Sequence, residues 1–166
     1  LRGFDDVREG FRDSRFFTSY PLGIPARTGG AKRLIPVEVD PPEHQRYRAV
    51  LAPLFTPQAV QRLEPRIRDL TVSLIESFRA RGRCDFVAEM SMRLPTGIFL
   101  ELMGMPGERL PQFLAWEHAH MRGDNDERAA AGNAIFAYLA EFFEYKATHP
   151  GDDIATGLLA ARGLAQ

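Results

Sequence analysis

Two side chains in the run Val39-Asp40-Pro41-Pro42-Glu43-His44-Gln45-Arg46-Tyr47-Arg48 could do chemistry together. His44 and Arg48 are four residues apart, so on a helix both leave from one side. Leu51 and Phe55 extend nearly the same stripe. Charge-assisted donors beside apolar groups suit an anion carried on a large apolar ligand. The competing explanation is a solvated surface pair, which is common. The element that would position the pair is signalled just ahead of it. Asp40 is a candidate N-cap, Pro41 fits the first helical position, and Glu43 stands where a reciprocal capping side chain belongs. A helix is expected from about Pro41 to Pro53.

The remaining elements follow from periodicity and punctuation. Phe4, Val7 and Phe11 predict a short amphipathic helix within Gly3 to Asp13. Arg15 to Val39 reads as a long loop, broken by glycines at 23, 29 and 30 and prolines at 21, 25 and 36. Loops of that length in folded domains are usually functional or disordered. Thr56 with Pro57 opens a long helix to about Arg81, with Leu63, Ile67, Leu70, Leu74 and Phe78 as its apolar stripe and Gly82 as its stop. Cys84 to Val87 reads as a short edge strand. A helix from about Ala88 to Met103 carries a kink at Pro95, and its dense apolar run from Ile98 to Met103 suits an interior. Further helices are expected over Gly107 to Arg122, Glu127 to Thr148 and Asp152 to Arg162, with a break at Gly123-Asp124-Asn125-Asp126.

Composition narrows the function classes. With 21 basic and 22 acidic residues among 166, the net charge of −1 gives no bulk affinity for nucleic acid. No run of about 18 apolar residues marks a membrane span. No secretory leader is read, and one cysteine permits no internal disulfide, so a reducing cytoplasm is the expected setting. Cys84 reads as a small apolar residue near a strand. His118 and His120, beside Trp116, Glu117 and Met121, sit two apart and do not face each other on a helix, which argues against a metal site. No serine or cysteine nucleophile stands in a recognisable frame, and the glycines at 23, 29 and 30 lack the lysine of a phosphate loop. The arginines between 62 and 83 read as a solvated helix face.

The whole string Asp40-Pro41-Pro42-Glu43-His44-Gln45-Arg46-Tyr47-Arg48 resembles the start of helix C in bacterial cytochromes P450. Leu54-Phe55-Thr56-Pro57 is similar to the turn that follows that helix. Cys84-Asp85-Phe86-Val87, Leu94-Pro95-Thr96 and Leu102-Met103-Gly104-Met105-Pro106 resemble the family's run through helix E, and His149-Pro150-Gly151-Asp152-Asp153-Ile154 its junction between helices G and H. The pattern is most similar to the camphor-hydroxylase-like branch.

That resemblance implies a mainly α fold, a partial cytochrome P450 domain of about helices B to H with little strand, with residues 1–166 as the N-terminal part of one domain. It implies haem b (iron protoporphyrin IX) as cofactor, with His44 and Arg48 on its propionates. Leu34, Ile35 and Val37, in the B–C loop, become candidate substrate contacts, although simple anchoring of the loop would also explain them. Lys32 and Arg33 read as solvated charges or as a preference for an acidic substrate. The helices over Gly107 to Arg122 and Glu127 to Thr148 become the lid helices F and G. The resemblance further implies O2, a small hydrophobic substrate such as a terpenoid, and a ferredoxin-type electron donor with its reductase, docking near Gln45 and Arg48. The axial cysteine loop, the Glu-x-x-Arg helix and the acidic-Thr segment are not in these residues, and Gln166 falls close to where helix I would begin. The expected function is therefore that of a longer parent, a haem-thiolate monooxygenase. The alternative is a non-catalytic helical remnant or pseudoenzyme lacking the thiolate.

Overall fold

Each apolar stripe read from the sequence folds as a helix in the computed structural model, which describes residues 2–21 and 33–161. The expectations for Gly23, Pro25, Gly29, Gly30, Lys32 and Arg162 lie outside the described residues. The chain divides into two units after Ala52.

In the first unit, α1 spans Phe4–Arg12 and α2 spans Glu43–Leu51. Asp5 and Asp6 in the first turn of α1 and Arg12 in its last turn complement the helix dipole. The segment ahead of α2 is held at several points. Asp40 accepts hydrogen bonds from Thr18 Oγ1 at 2.6 Å and from the Ser19 N–H at 2.9 Å. The Arg33 guanidinium lies 4.7 Å from the centre of the Tyr20 ring, within cation–π range.

The second unit begins with α3, Pro57–Arg79, where Thr56 Oγ1 accepts the Ala59 N–H at 3.2 Å and Pro57 starts the helix without an orphaned donor. Its stripe turns inward as expected: Leu63, Ile67, Leu70 and Phe78 are half-buried and Leu74 is buried. Gly82, at φ 63°, ends the run in the left-handed region that favours glycine.

Two expectations fail between Gly82 and Met103. Cys84 to Val87 is not a strand, and no strand is present among the described residues. Asp85 instead starts a helical turn: its Oδ1 accepts the Ala88 N–H at 3.0 Å, while Glu89 Oε1 accepts the Asp85 N–H at 2.9 Å. This reciprocal cap outweighs the weak β preference of four residues. Glu89 is also paired with Arg81. Pro95 does not kink a continuous helix either. Val87–Ser91 forms a π-helical turn, closed by the Met92 N–H on Val87 O at 3.0 Å, and α4 then runs Arg93–Met103. Proline cannot donate and crowds the carbonyl four residues back, so the ladder is rearranged before Pro95, which falls in the first turn of α4.

A 3₁₀ turn at Gly107–Arg109 leads into α5, Leu110–Arg122. Then follow α6, Asn125–Thr148, and α7, Ile154–Ala160. Asp124 and Glu127 form a capping box that starts α6. Arg128 ties the corner between α5 and α6, donating from Nε to His120 O at 3.1 Å and from Nη2 to Gly123 O at 3.0 Å. The core gathers Leu100 and Met103 of α4, Met105, Phe113 of α5, Phe142 of α6 and Ala155 of α7. Phe113 meets Trp116 and Tyr138 edge-on, with ring centroids 5.3 and 5.4 Å apart. Trp116, half-buried, thus packs against the core. Phe99 shows the converse: the run from Ile98 is not buried all round, and Phe99 is 43% exposed.

One buried ion pair sits at the meeting of α4, α6 and α7. Lys146 Nζ lies 2.5 Å from Asp153 Oδ2. Asp153 also caps α7, its Oδ1 accepting the Thr156 N–H at 2.9 Å and the Thr156 hydroxyl at 3.0 Å. The close approach of Gly104, at φ 69°, to this pair leaves no room for a side chain.

Candidate functional site

The structure places His44 and Arg48 together on α2 as their spacing requires, but starts that helix differently from the sequence reading. Asp40 does not act as a side-chain cap. Its carboxylate is taken by Thr18 and Ser19, and these bonds, with Arg33 as a nearby positive charge, hold it below the ordinary aspartate range, the Thr18 hydroxyl contributing most. Only the Asp40 carbonyl serves the helix, accepting the His44 N–H at 3.0 Å. Pro42 takes the cap position and Glu43 begins the α-helix. Glu43 makes no reciprocal cap, and its Oε1 lies 3.5 Å from the Tyr47 hydroxyl, one turn along.

His44 is half-buried and Arg48 exposed. Neither side chain has a hydrogen-bonding or ionic partner among the described residues. An imidazole N–H and a forked guanidinium therefore stand one turn apart with their donors unspent, which is the chemistry needed to hold carboxylate groups. Gln45 is exposed on a neighbouring face of α2.

Leu34, Ile35 and Val37 are brought together in the turn that precedes α2. Leu34 is half-buried, whereas Ile35 and Val37 are 51% and 56% exposed. Directly beyond them the chain turns inward at Glu38 and Val39, both buried. Sequence reasoning missed Glu38. The available signal was its position as a lone charge within the apolar run Leu34-Ile35-Pro36-Val37-Glu38-Val39.

In the second unit, Glu117 Oε2 lies 3.2 Å from the Thr96 hydroxyl, and His120 Nδ1 is 3.4 Å from Arg128 O. His118 is exposed. No group of three or more His, Cys, Asp or Glu suited to a metal ion occurs among the described residues. Cys84 is half-buried in the irregular stretch before the π-helical turn. No helix among them is long and apolar enough to cross a membrane.

No family model matches the chain. Individual proteins do. The chain is 31% identical over 169 residues to the putative cytochrome P450 YjiB of Bacillus subtilis, covering 95% of this chain and 42% of the relative. It is 30% identical over 165 residues to the vitamin D(3) 25-hydroxylase of Pseudonocardia autotrophica, covering 96% and 41%. Among solved structures, CYP101J2 superposes with a TM-score of 0.81 at 32% identity, over 93% of this chain and 40% of that one. The chain thus spans less than half the length of these relatives. Helix order and these likenesses define the helical architecture of a cytochrome P450, over the part the chain covers. The chain belongs to the cytochrome P450 family.

Proposed function

We propose that this chain is the haem-anchoring, substrate-contacting part of a longer haem-thiolate monooxygenase, an oxidoreductase, in which residues 1–166 form part of one domain. The observation that carries the proposal is the α2 donor pair. His44 and Arg48 share a side, precede apolar Leu51, and have no other described partner. The donor set fits haem b: the Arg48 fork matches a propionate carboxylate bidentately, and His44 adds one N–H. Bound haem, with a cysteine thiolate from elsewhere in the parent, supplies O2 activation and transfer of one oxygen atom to the substrate.

The residues of this chain then have limited tasks. Arg48 and His44 neutralise and orient the propionates. Leu34, Ile35 and Val37 offer apolar contact to the substrate. A small hydrophobic substrate is supported by these side chains and by relatives named for vitamin D(3) and steroid oxidation. Electrons come from a ferredoxin-type donor with its reductase, docking where Arg48 and exposed Gln45 lie, and the parent works in the cytoplasm.

Haem retention tests the assignment. Arg48→Leu in the parent leaves a propionate charge without its partner, at a cost of roughly 3 kcal/mol, or about a hundredfold in affinity. The variant should leave gel filtration depleted of haem relative to wild type. Equal haem content in the two would remove Arg48 from the site.

A further inference from the structure

The turn ahead of α2 is built inside out. Glu38, the charged member of an apolar run, is fully buried at 0% exposed, while its apolar neighbours Ile35 and Val37 stand out to solvent. Folding alone favours the reverse arrangement, because a buried carboxylate is costly unless bonded and exposed apolar surface contributes nothing. The bonding explains how the arrangement is held. Glu38 Oε2 accepts the Leu34 N–H at 2.7 Å, and the Glu38 N–H donates to Leu34 O at 2.7 Å. Two bonds between the same two residues close the turn into a ring, with Ile35, Pro36 and Val37 as its outer rim. Buried Val39 and the Asp40 bonds to Thr18 and Ser19 fix the turn's exit.

We infer that Glu38 is a positioning residue, closing the 34–38 turn so that Ile35 and Val37 form a preorganised apolar tip against the substrate. The inference rests on the proposed monooxygenase function and adds a residue to it. A tip ordered before binding loses less freedom when the ligand arrives, so its apolar contact is expressed in affinity. Glu38 touches no substrate; it acts through the two side chains it presents.

The test uses the haem-loaded parent protein with two probes, imidazole and phenylimidazole. Both ligate the haem iron through a ring nitrogen, and only the second carries an apolar group. Wild type should prefer phenylimidazole. Glu38→Ala should reduce that preference about tenfold, the order expected for losing part of one apolar contact. Haem content and imidazole affinity should hold, and amide exchange at Leu34 should accelerate. Glu38→Gln keeps a carbonyl acceptor for the Leu34 N–H and should restore most of the preference. Val37→Ser removes apolar surface from the tip while leaving both Leu34–Glu38 bonds in place, and should lower it as Glu38→Ala does. A preference unchanged in Glu38→Ala overturns the inference, and one unchanged in Val37→Ser removes the apolar tip it rests on. The inference is also overturned by a Glu38→Ala variant in which haem content and both affinities fall together, which would make Glu38 merely structural. A parent that holds no haem in wild-type form defeats the monooxygenase reading itself, before any variant is compared, and this inference with it.

Discussion

Replacing Asp153 with Asn removes one charge from the Lys146–Asp153 pair while keeping the cap of α7, since Asn Oδ1 can still accept the Thr156 N–H. The pair's side chains are only 10% and 8% exposed, so water screens them poorly. Removing one partner of such a pair strands the other, typically at 3–5 kcal/mol. The neutral amide still offers Lys146 an acceptor, and the Phe142 ring centre is 5.7 Å from Nζ, which favours the lower end of that range. A loss of roughly 3 kcal/mol raises the local opening constant of α7 about a hundredfold. Hydrogen exchange by mass spectrometry on the native parent, read over residues 151–160, should show that acceleration. Adding Lys146→Met to Asp153→Asn removes the stranded ammonium and should regain most of the protection. Unchanged exchange in α7 in the single variant would refute the reasoning, and a double variant no better than the single would show that charge burial is not the cause.

Acid should act on the same pair. Burial alone raises the Asp153 pKa, but the Lys146 hydrogen bond, the Thr156 N–H and hydroxyl, and the Lys146 charge together hold it below the ordinary value of 3.8. A carboxylate depressed on folding stabilises fully above its unfolded pKa, and that contribution is lost as pH falls through the lower folded value. The stability difference between wild type and Asp153→Asn should therefore be constant at neutral pH and shrink below about pH 3.8; a difference that shrinks above pH 5 would contradict it. Gly104→Ala should destabilise the same corner by roughly 2 kcal/mol or more, since φ 69° is strained for alanine and its Cβ would lie 2.5 Å from Asp153 Oδ2 and 2.8 Å from Lys146 Nζ. A thermal midpoint equal to wild type would count against the close packing described. Electron transfer from an acidic ferredoxin to the parent should slow as ionic strength rises, and rates indifferent to salt would exclude charge steering at the Arg48 face.

Local signals carried much of the architecture. Thr56-Pro57 sets the start of α3, and its five-residue apolar stripe sets which side turns inward, because capping and periodicity need no information from distant residues. The His44 and Arg48 placement was legible for the same reason. Asp40 was misread because its competitors, Thr18 and Ser19, lie 22 and 21 residues earlier and win the carboxylate only once the chain has folded back. Buried Lys146 was invisible for a related reason. Lysine is rarely buried, and only its partner seven residues on, in the Gly151-Asp152-Asp153 turn, makes burial tolerable. Cys84 to Val87 looked extended because four residues carry little periodicity, and the Asp85–Glu89 cap decides the matter.

The haem-thiolate assignment is decided by the absorption spectrum of the parent protein, reduced and exposed to carbon monoxide. Wild type should show the red-shifted band of thiolate-ligated haem, and Arg48→Leu a weaker band in proportion to lost haem. A wild-type protein with no haem band, or with the band of a histidine-ligated haem, would contradict the assignment.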